Sequence, residues 1–489
     1  MKPFLITIAL ITFSLHCHAQ KFTLHLTGSS VMENKIIDSV SYTPNHQNHQ
    51  SLHTEIDIVS QKLTQLGYIE NRVIQRLRSN DSTYSGQFNL GSKMSFVHMY
   101  VGKNKSITQL LSVNVIHDSI FIPYRKVINF LKENTIALER KGYSLARLKL
   151  TNIKRKGNTL FTQLEFESEK QRRLNAIIIK QTDNQQQNTF PAGPLAQIKR
   201  KYTNQTFNQE IVSKINSEFE NFRFVNQIKY PEILFTKDST KVYVYLEKRN
   251  SNTFDGFIGF NTNENKKITL NGYLDLTLEN SLNVGEQFSL YWKTDGNKQR
   301  TFKTALELPY LFKTPIGLKA QLNIFKQDST FQNTKTEIDI SYFVKHNTRI
   351  YVGYQSTVSS DIQNKNDSVI SDYNNSFITA NLAYSKQDDP STLFFTQSSL
   401  LLKTGLGNRQ TNNPTENSNK ASQFFLELQA SHTFYLNTKN SIAVRTQNYY
   451  LHSPTYLSNE LIRFGGINSV RGFAENSLQG HFLSSLLTE

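Results

Sequence analysis

The sequence predicts an α+β chain: three small modules in tandem, followed by an antiparallel transmembrane β-barrel. Three observations carry this. The apolar periodicity is helical in the first half and changes to two near residue 251. One helix–turn–strand pattern recurs three times before that point. The formal charge of +16 lies almost wholly in the first half, with 33 basic against 19 acidic residues over 21–250 and 21 against 20 over 251–489.

Composition excludes other classes. Aromatics at 11% are too many for a disordered chain, and a mean hydropathy of -0.47 is too low for a bundle of membrane helices. An apolar fraction of 37% suits a wall that is apolar on one face only. Residues 1–20 read as a secretory signal. Lys2 precedes an apolar run from Phe4 to Leu15, and Cys17-His18-Ala19 leads into Gln20 as a cleavage-like end. The run is too short to cross a bilayer core of about 30 Å as a helix. Cys17 is the one cysteine in the chain, so a chain cleaved there has no disulfide, thiol nucleophile or cysteine-bound metal. Export also argues against nucleic acid as the partner of the basic half; anionic membrane lipid, client proteins or a simply solvated basic surface fit it better.

The modules are assigned to residues 21–103, 104–170 and 171–250. Ile56, Ile58, Val59, Leu63 and Leu66 precede Gly67-Tyr68-Ile69. Val127, Ile128, Phe130, Leu131, Ile136 and Leu138 precede Gly142-Tyr143. Phe207, Ile211, Val212, Ile215 and Phe219 precede Phe222-Arg223-Phe224. Gly67 and Gly142 sit where a helix ends in a left-handed residue. Strand-like runs follow at Phe88 to Val101, Thr159 to Glu167 and Lys241 to Glu247, and Leu174 to Lys180 opens the third module. The first unit is the loosest fit, since His46 to Ser51 reads as a loop. This order resembles polypeptide-transport-associated (POTRA) domains.

Residues 251–489 alternate. Ile338, Ile340, Tyr342 and Val344 interleave with Glu337, Asp339, Ser341 and Lys345, and similar runs occur from Ile268, Phe288, Ile316 and Phe424. Segments of about ten residues with a strongly polar second face suit a membrane strand lining a wet lumen. Tyr310, Phe312, Phe394, Phe395, Phe434 and Tyr435 near strand ends suit interfacial girdles. Tight connections at Ser281-Leu282-Asn283 and Lys345 to Thr348 contrast with long polar ones at Ser359 to Asn374 and Gly407 to Ala421.

The sharpest motif is Phe464-Gly465-Gly466 followed by Val470-Arg471-Gly472-Phe473. A guanidinium offers several donors in a rigid fork, and glycines permit tight turns beside a wall. The motif resembles the hallmark of the outer-membrane protein assembly superfamily (BamA/TamA-like), in which a long loop folds back into the barrel. Such a resemblance implies insertion or secretion of β-rich proteins without nucleotide or cofactor. It implies unfolded outer-membrane or secreted β-rich proteins as partners, with membrane lipid and periplasmic or inner-membrane accessory proteins. The modules would offer sheet edges to clients in the periplasm, and the barrel seam would part beside the first strand, Phe254 to Asn261, where Gly256 and Gly259 weaken packing and pairing. The family barrel has about sixteen strands; twelve are counted here, the last from Gly480 to Thr488. The expectation is therefore a C-terminally incomplete barrel that lacks the acidic partner of Arg471. No enzymatic motif is present (HExxH, G-x-S-x-G or a phosphate loop), and neither a metal nor a cofactor site is expected. A two-partner secretion transporter and a passive porin or receptor are the alternative functions.

Overall fold

The computed structural model describes residues 22–102, 111, 118–181, 190–262, 268–294, 299–364, 369–387, 396–411, 420–437, 439–466 and 469–489. The signal segment, Phe394 and Phe395 lie outside the described residues. The chain divides into two compact units, the first holding two modules and the second holding the third module with a large sheet.

The modules share a helix-covered sheet, of four, four and three strands among the described residues. The first comprises β1 (Phe22–Gly28), α1 (Val31–Asp38), β2 (Asn45–His46), α2 (His49–Gln65), β3 (Arg72–Arg78) and β4 (Thr83–Asn89). The second comprises β5 (Phe96–Tyr100), β6 (Ser119–Pro123), α3 (Val127–Arg140), β7 (Arg147–Lys156) and β8 (Thr159–Glu167). The third comprises β9 (Leu174–Gln181), α4 (Ala192–Tyr202), α5 (Gln209–Glu220), β10 (Val225–Phe235) and β11 (Thr240–Lys248). In all three the first and last strands are parallel neighbours, β1 with β4, β5 with β8 and β9 with β11. Parallel pairing requires a crossover, which the helices supply.

The apolar spacing of the helices accounts for the cores. Leu52, Ile56, Val59 and Leu63 of α2 pack with Leu24 and Phe88, while Phe207, Ile211, Val212, Ile215 and Phe219 are all buried around α5. Ile58, Ile128 and Ile136, read as core from the sequence, fall on outer helix faces and are exposed. Both glycine steps are left-handed, with φ of +106° at Gly67 and +93° at Gly142. The N–H of Tyr68 reaches the Leu63 carbonyl at 3.0 Å and that of Gly67 reaches Thr64 at 3.0 Å; Tyr143 and Gly142 repeat both bonds on Leu138 and Glu139. This paired closure satisfies the last helical carbonyls. The glycine carbonyls then accept from the following linkers, from Met94 at 2.8 Å and Arg172 at 2.9 Å. A Cβ on Gly67 would lie 2.4 Å from the Met94 carbonyl oxygen. Gly67→Ala is therefore expected to cost at least about 1–2 kcal/mol from the left-handed backbone alone, measured as lost hydrogen-exchange protection along α2.

Two sequence expectations change here. His46 to Ser51 is not a loop: β2 ends at His46, and α2 starts at His49 with the Asn48 side chain capping the Ser51 N–H at 2.8 Å. Phe88 to Val101 is not one strand. It breaks at Gly91, whose φ is +65°, and β5 pairs with β6 and β8, so the second module begins before residue 103. The third module replaces the glycine step with an aromatic one, in which Phe222 and Phe224 pack on Phe190 at 4.9 and 6.0 Å.

The remaining strands form one antiparallel meander: β12 (Thr253–Thr262), β13 (Ile268–Glu279), β14 (Gln287–Thr294), β15 (Gln299–Leu308), β16 (Ile316–Gln327), β17 (Phe331–Lys345), β18 (Thr348–Asp361), β19 (Tyr373–Gln387), β20 (Thr396–Thr411), β21 (Lys420–Tyr435), β22 (Ser441–His452) and β25 (Phe482–Thr488). Strands β23 (Ile462–Phe464) and β24 (Leu478–Gly480) pair with each other inside the connection before β25. Among the described residues β12 and β25 are the two edges. The central strands reach 16 residues, longer than the expected ten.

Burial in this sheet is inverted relative to a water-soluble one. Glu337, Asp339, Ser341, Gln355, Thr357 and Thr379 are buried, while Ile338, Tyr354, Ile378 and Leu406, neighbours in register across four strands, are 54–70% exposed. The polar face is curled inward, because side chains from non-adjacent strands meet across it. Lys403 on β20 pairs with Glu337 on β17 at 2.5 Å, and Arg349 on β18 with Glu307 on β15 at 2.6 Å.

Candidate functional site

The connection from β22 to β25 supplies the candidate site. Its only carboxylates are Glu460 and Glu475, and each meets a basic side chain of the wall. Glu460 pairs with Arg409 of β20, both side chains 3% exposed, and Glu475 pairs with Lys293 of β14. Arg409 also donates to the Thr455 carbonyl at 3.1 Å and its hydroxyl at 2.6 Å, and Gln423 of β21 donates to Ser453 and Glu460. Asn459 is fully enclosed. Its side-chain amide donates to the Ser359 hydroxyl at 2.7 Å and the Ser371 carbonyl at 2.8 Å, and its main-chain carbonyl accepts from Asn333 at 2.6 Å and Tyr373 at 3.3 Å. Between the two carboxylates, the Arg463 guanidinium lies over Phe331 at 5.2 Å. The connection thus runs inside the curled sheet from β20 to β14.

The motif residues fold onto one another. Phe464 sits in β23 opposite Leu478. Gly465 and Gly466 have φ of +111° and +94°, and a Cβ on Gly465 would lie 2.7 Å from the Ala474 carbonyl oxygen. Close backbone approach is what requires glycine here. Val470 is half-buried, Gly472 has φ of +90° in open space, and Phe473 is 52% exposed.

Arg471, expected to lack an acidic partner, has one. Its side chain is 56% exposed and pairs with Glu489, just beyond β25. Docking into the sheet interior belongs instead to Glu460, Asn459 and Arg463. Sequence reasoning passed over these three because tertiary pairing has no local period; the signal that marks Glu460 and Glu475 is that a loop with two carboxylates faces a wall rich in buried bases.

The residues read as a seam lie on β12, at the opposite edge of the sheet order from β25. Phe254 is 71% exposed. The pairing of β12 with β13 runs through both glycines, from Thr253 to Thr262. A Cβ at Gly256 would lie 2.5 Å from the Tyr273 carbonyl oxygen, and one at Gly259 2.7 Å from Asn271 Oδ1, so both glycines permit close approach.

At the short-turn end the third module is seated on the sheet. Gly193 of α4 packs on Tyr310, where a Cβ would lie 2.8 Å from that residue's own Cβ, and Arg223 reaches Glu279 of β13 at 3.4 Å. Tyr310 is buried in this joint rather than standing in an interfacial girdle; Phe312, Phe434 and Tyr435 are exposed as expected. The ring of His346, in the turn between β17 and β18, lies 4.0 Å from Phe222 and accepts or donates at 3.4 Å with the Tyr310 hydroxyl. A cavity of about 220 Å³ beside it is lined by Arg223, Glu279, Glu286, Glu307, His346 and Arg349. Burial holds the His346 imidazole well below its ordinary range, and Arg349 and Arg223 add to this. An unfolded imidazole takes a proton near pH 6.5, so this ring favours the seated joint above that pH and the advantage fades as pH falls. Protease cleavage at the joint is expected to accelerate below about pH 6.5, and His346→Phe is expected to abolish the acceleration.

No protein-family model and no curated protein matches this chain. Solved structures with a similar arrangement include BamA from Haemophilus ducreyi lacking POTRA domains 1-3, at 15% identity over 78% of this chain and 75% of that one with a TM-score of 0.43. CdiB from Acinetobacter baumannii has 13% identity over 80% and 75% with a TM-score of 0.44, and CdiB from Escherichia coli has 14% over 88% and 83% with 0.43.

Proposed function

We propose that the chain is a member of the outer-membrane protein assembly superfamily. In this reading its sheet crosses the outer membrane, its modules lie in the periplasm, and it inserts or translocates β-rich clients without nucleotide. The observation that carries this is the inverted burial of the sheet. Ile338, Tyr354, Ile378 and Leu406 form an outward apolar belt, while Glu337, Lys403 and Asp339 are enclosed. Water would impose the opposite arrangement, and only hydrocarbon outside with a polar interior stabilises this one. The loop that runs inside the sheet argues against a passive pore, because Glu460, Arg463 and Glu475 occupy the space a solute would use. Three tandem helix-and-sheet modules ahead of the sheet supply edges on which extended clients can add a strand.

Depletion of the protein in its native host, followed by proteomics of the outer membrane, tests the reading. A broad fall in barrel proteins is expected. Unchanged barrel proteins with one secreted protein lost would replace insertion by two-partner secretion.

A further inference from the structure

The open sheet face of the second module carries an aromatic platform. Val97, Met99, Ile120, Leu160 and Leu164 point to the helix side and are buried. The alternate residues point the other way. Phe121, Phe96 and Phe161 are 59%, 41% and 39% exposed. Phe96 and Phe121 stack with ring centroids 4.9 Å apart and planes at 18°, and His98 sits 5.2 Å from Phe161. The strand register orders the face into rows. One row runs Phe121, His98, Phe161, Lys154, and its neighbour runs Pro123, Phe96, Thr159, Lys156. Both rows therefore end in an exposed lysine on β7.

Such a surface is not needed by the module's own core, which lies on the opposite face. In the third module the tyrosines at comparable positions lie under lysines of their own sheet, Tyr245 under Lys229 at 3.9 Å and Tyr243 under Lys180 at 5.8 Å. The phenylalanines of the second module stay open instead, and exposed clustered aromatics mark interaction sites.

We infer that this face binds an extended, acid-bearing client segment, whose apolar side chains lie on Phe96, Phe121 and Phe161 while a carboxylate meets Lys154 or Lys156. The inference rests on the proposed client-receiving role. Charge complementarity selects the occupant: the two rows contain lysines and no carboxylate, within a half-chain where basic residues outnumber acidic ones by 33 to 19. A sugar would need several hydrogen-bonding groups beside the rings, and besides their lysines the two rows offer only His98 and Thr159. A β-strand presents apolar side chains at every second residue, which matches a platform of adjacent rings.

The test uses the full chain in lipid nanodiscs and a fluorescent peptide alternating Phe and Thr with two Asp residues. Binding is expected, weakened about tenfold by Phe121→Ser, the scale for losing one aromatic anchor. Lys154→Glu should weaken that peptide and improve binding of the same peptide with Lys in place of Asp. Equal binding of both peptides by the unaltered chain, no effect of Phe121→Ser, or preference for an oligothymidine or a linear glucan would overturn the inference. Client insertion into vesicles by the same protein is scored separately. Insertion without peptide binding sinks only this inference, and peptide binding without insertion sinks only the assembly role.

Discussion

Glu460→Ala is expected to be the most damaging single change in the sheet and its inner loop, lowering stability by about 3–5 kcal/mol and releasing the loop. Arg409 and Glu460 are both almost fully enclosed. Removing the carboxylate leaves a buried guanidinium held only by neutral groups of Thr455, and Gln423 loses an acceptor as well. The cost comes from the uncompensated charge rather than from the lost attraction. The double change Arg409→Met with Glu460→Leu is therefore expected to be milder than either single removal. Urea unfolding in vesicles, with tryptic cleavage at Arg463 as the readout of loop release, measures both. Arg471→Ala provides the contrast. Its ion pair is open to solvent, where such pairs contribute about 0–1 kcal/mol, so the loop should stay in place. Equal losses from Arg471→Ala and Glu460→Ala would refute the assignment of the anchor.

Ile378→Arg is the second large effect. Ile378 is 70% exposed and sits between Tyr354 and Leu406 in the outward belt. An arginine at such a site on a soluble sheet would change stability by roughly 0.5 kcal/mol or less. Near the middle of a membrane strand it costs about 2–4 kcal/mol, because the guanidinium is forced toward hydrocarbon. Thr379→Ser, one residue along on the enclosed face, is a control expected to stay within roughly 0.5 kcal/mol. Comparing unfolding of the variant in lipid vesicles and in a short-chain detergent reads the difference. A variant as stable as the parent in both would remove the membrane assignment.

The sheet was the most legible part of the chain, since period two combined with a charged second face specifies both strand and side. Strand β12 matches the expected Phe254 to Asn261 within a residue at each end. The glycine steps at Gly67 and Gly142 were legible because only one residue type fits a left-handed helix end. The start of α2 was not: His49 and Gln50 are polar, and the cap at Asn48 is the whole signal. Tyr310 was misjudged because an aromatic at a strand end has the same sequence signature whether it meets lipid or a neighbouring module. The loop anchor was illegible for a deeper reason. Arg409 and Glu460 are 51 residues apart, and their pairing follows from the curl of the sheet.

The inner loop also has a mechanical consequence. From β14 to β20 the wall makes six strand steps, an arc of about 29 Å at the usual spacing between strands. Glu460 and Glu475 tie the two ends of that arc together through the interior, as a chord ties a bow. Any force that flattens the wall must stretch this chord. Both anchors bear the same tension, and Lys293–Glu475, open to solvent, is the weaker of the two beside the enclosed Arg409–Glu460. The loop would then let go at β14 while remaining moored at β20, swinging as a tethered arm rather than leaving the interior.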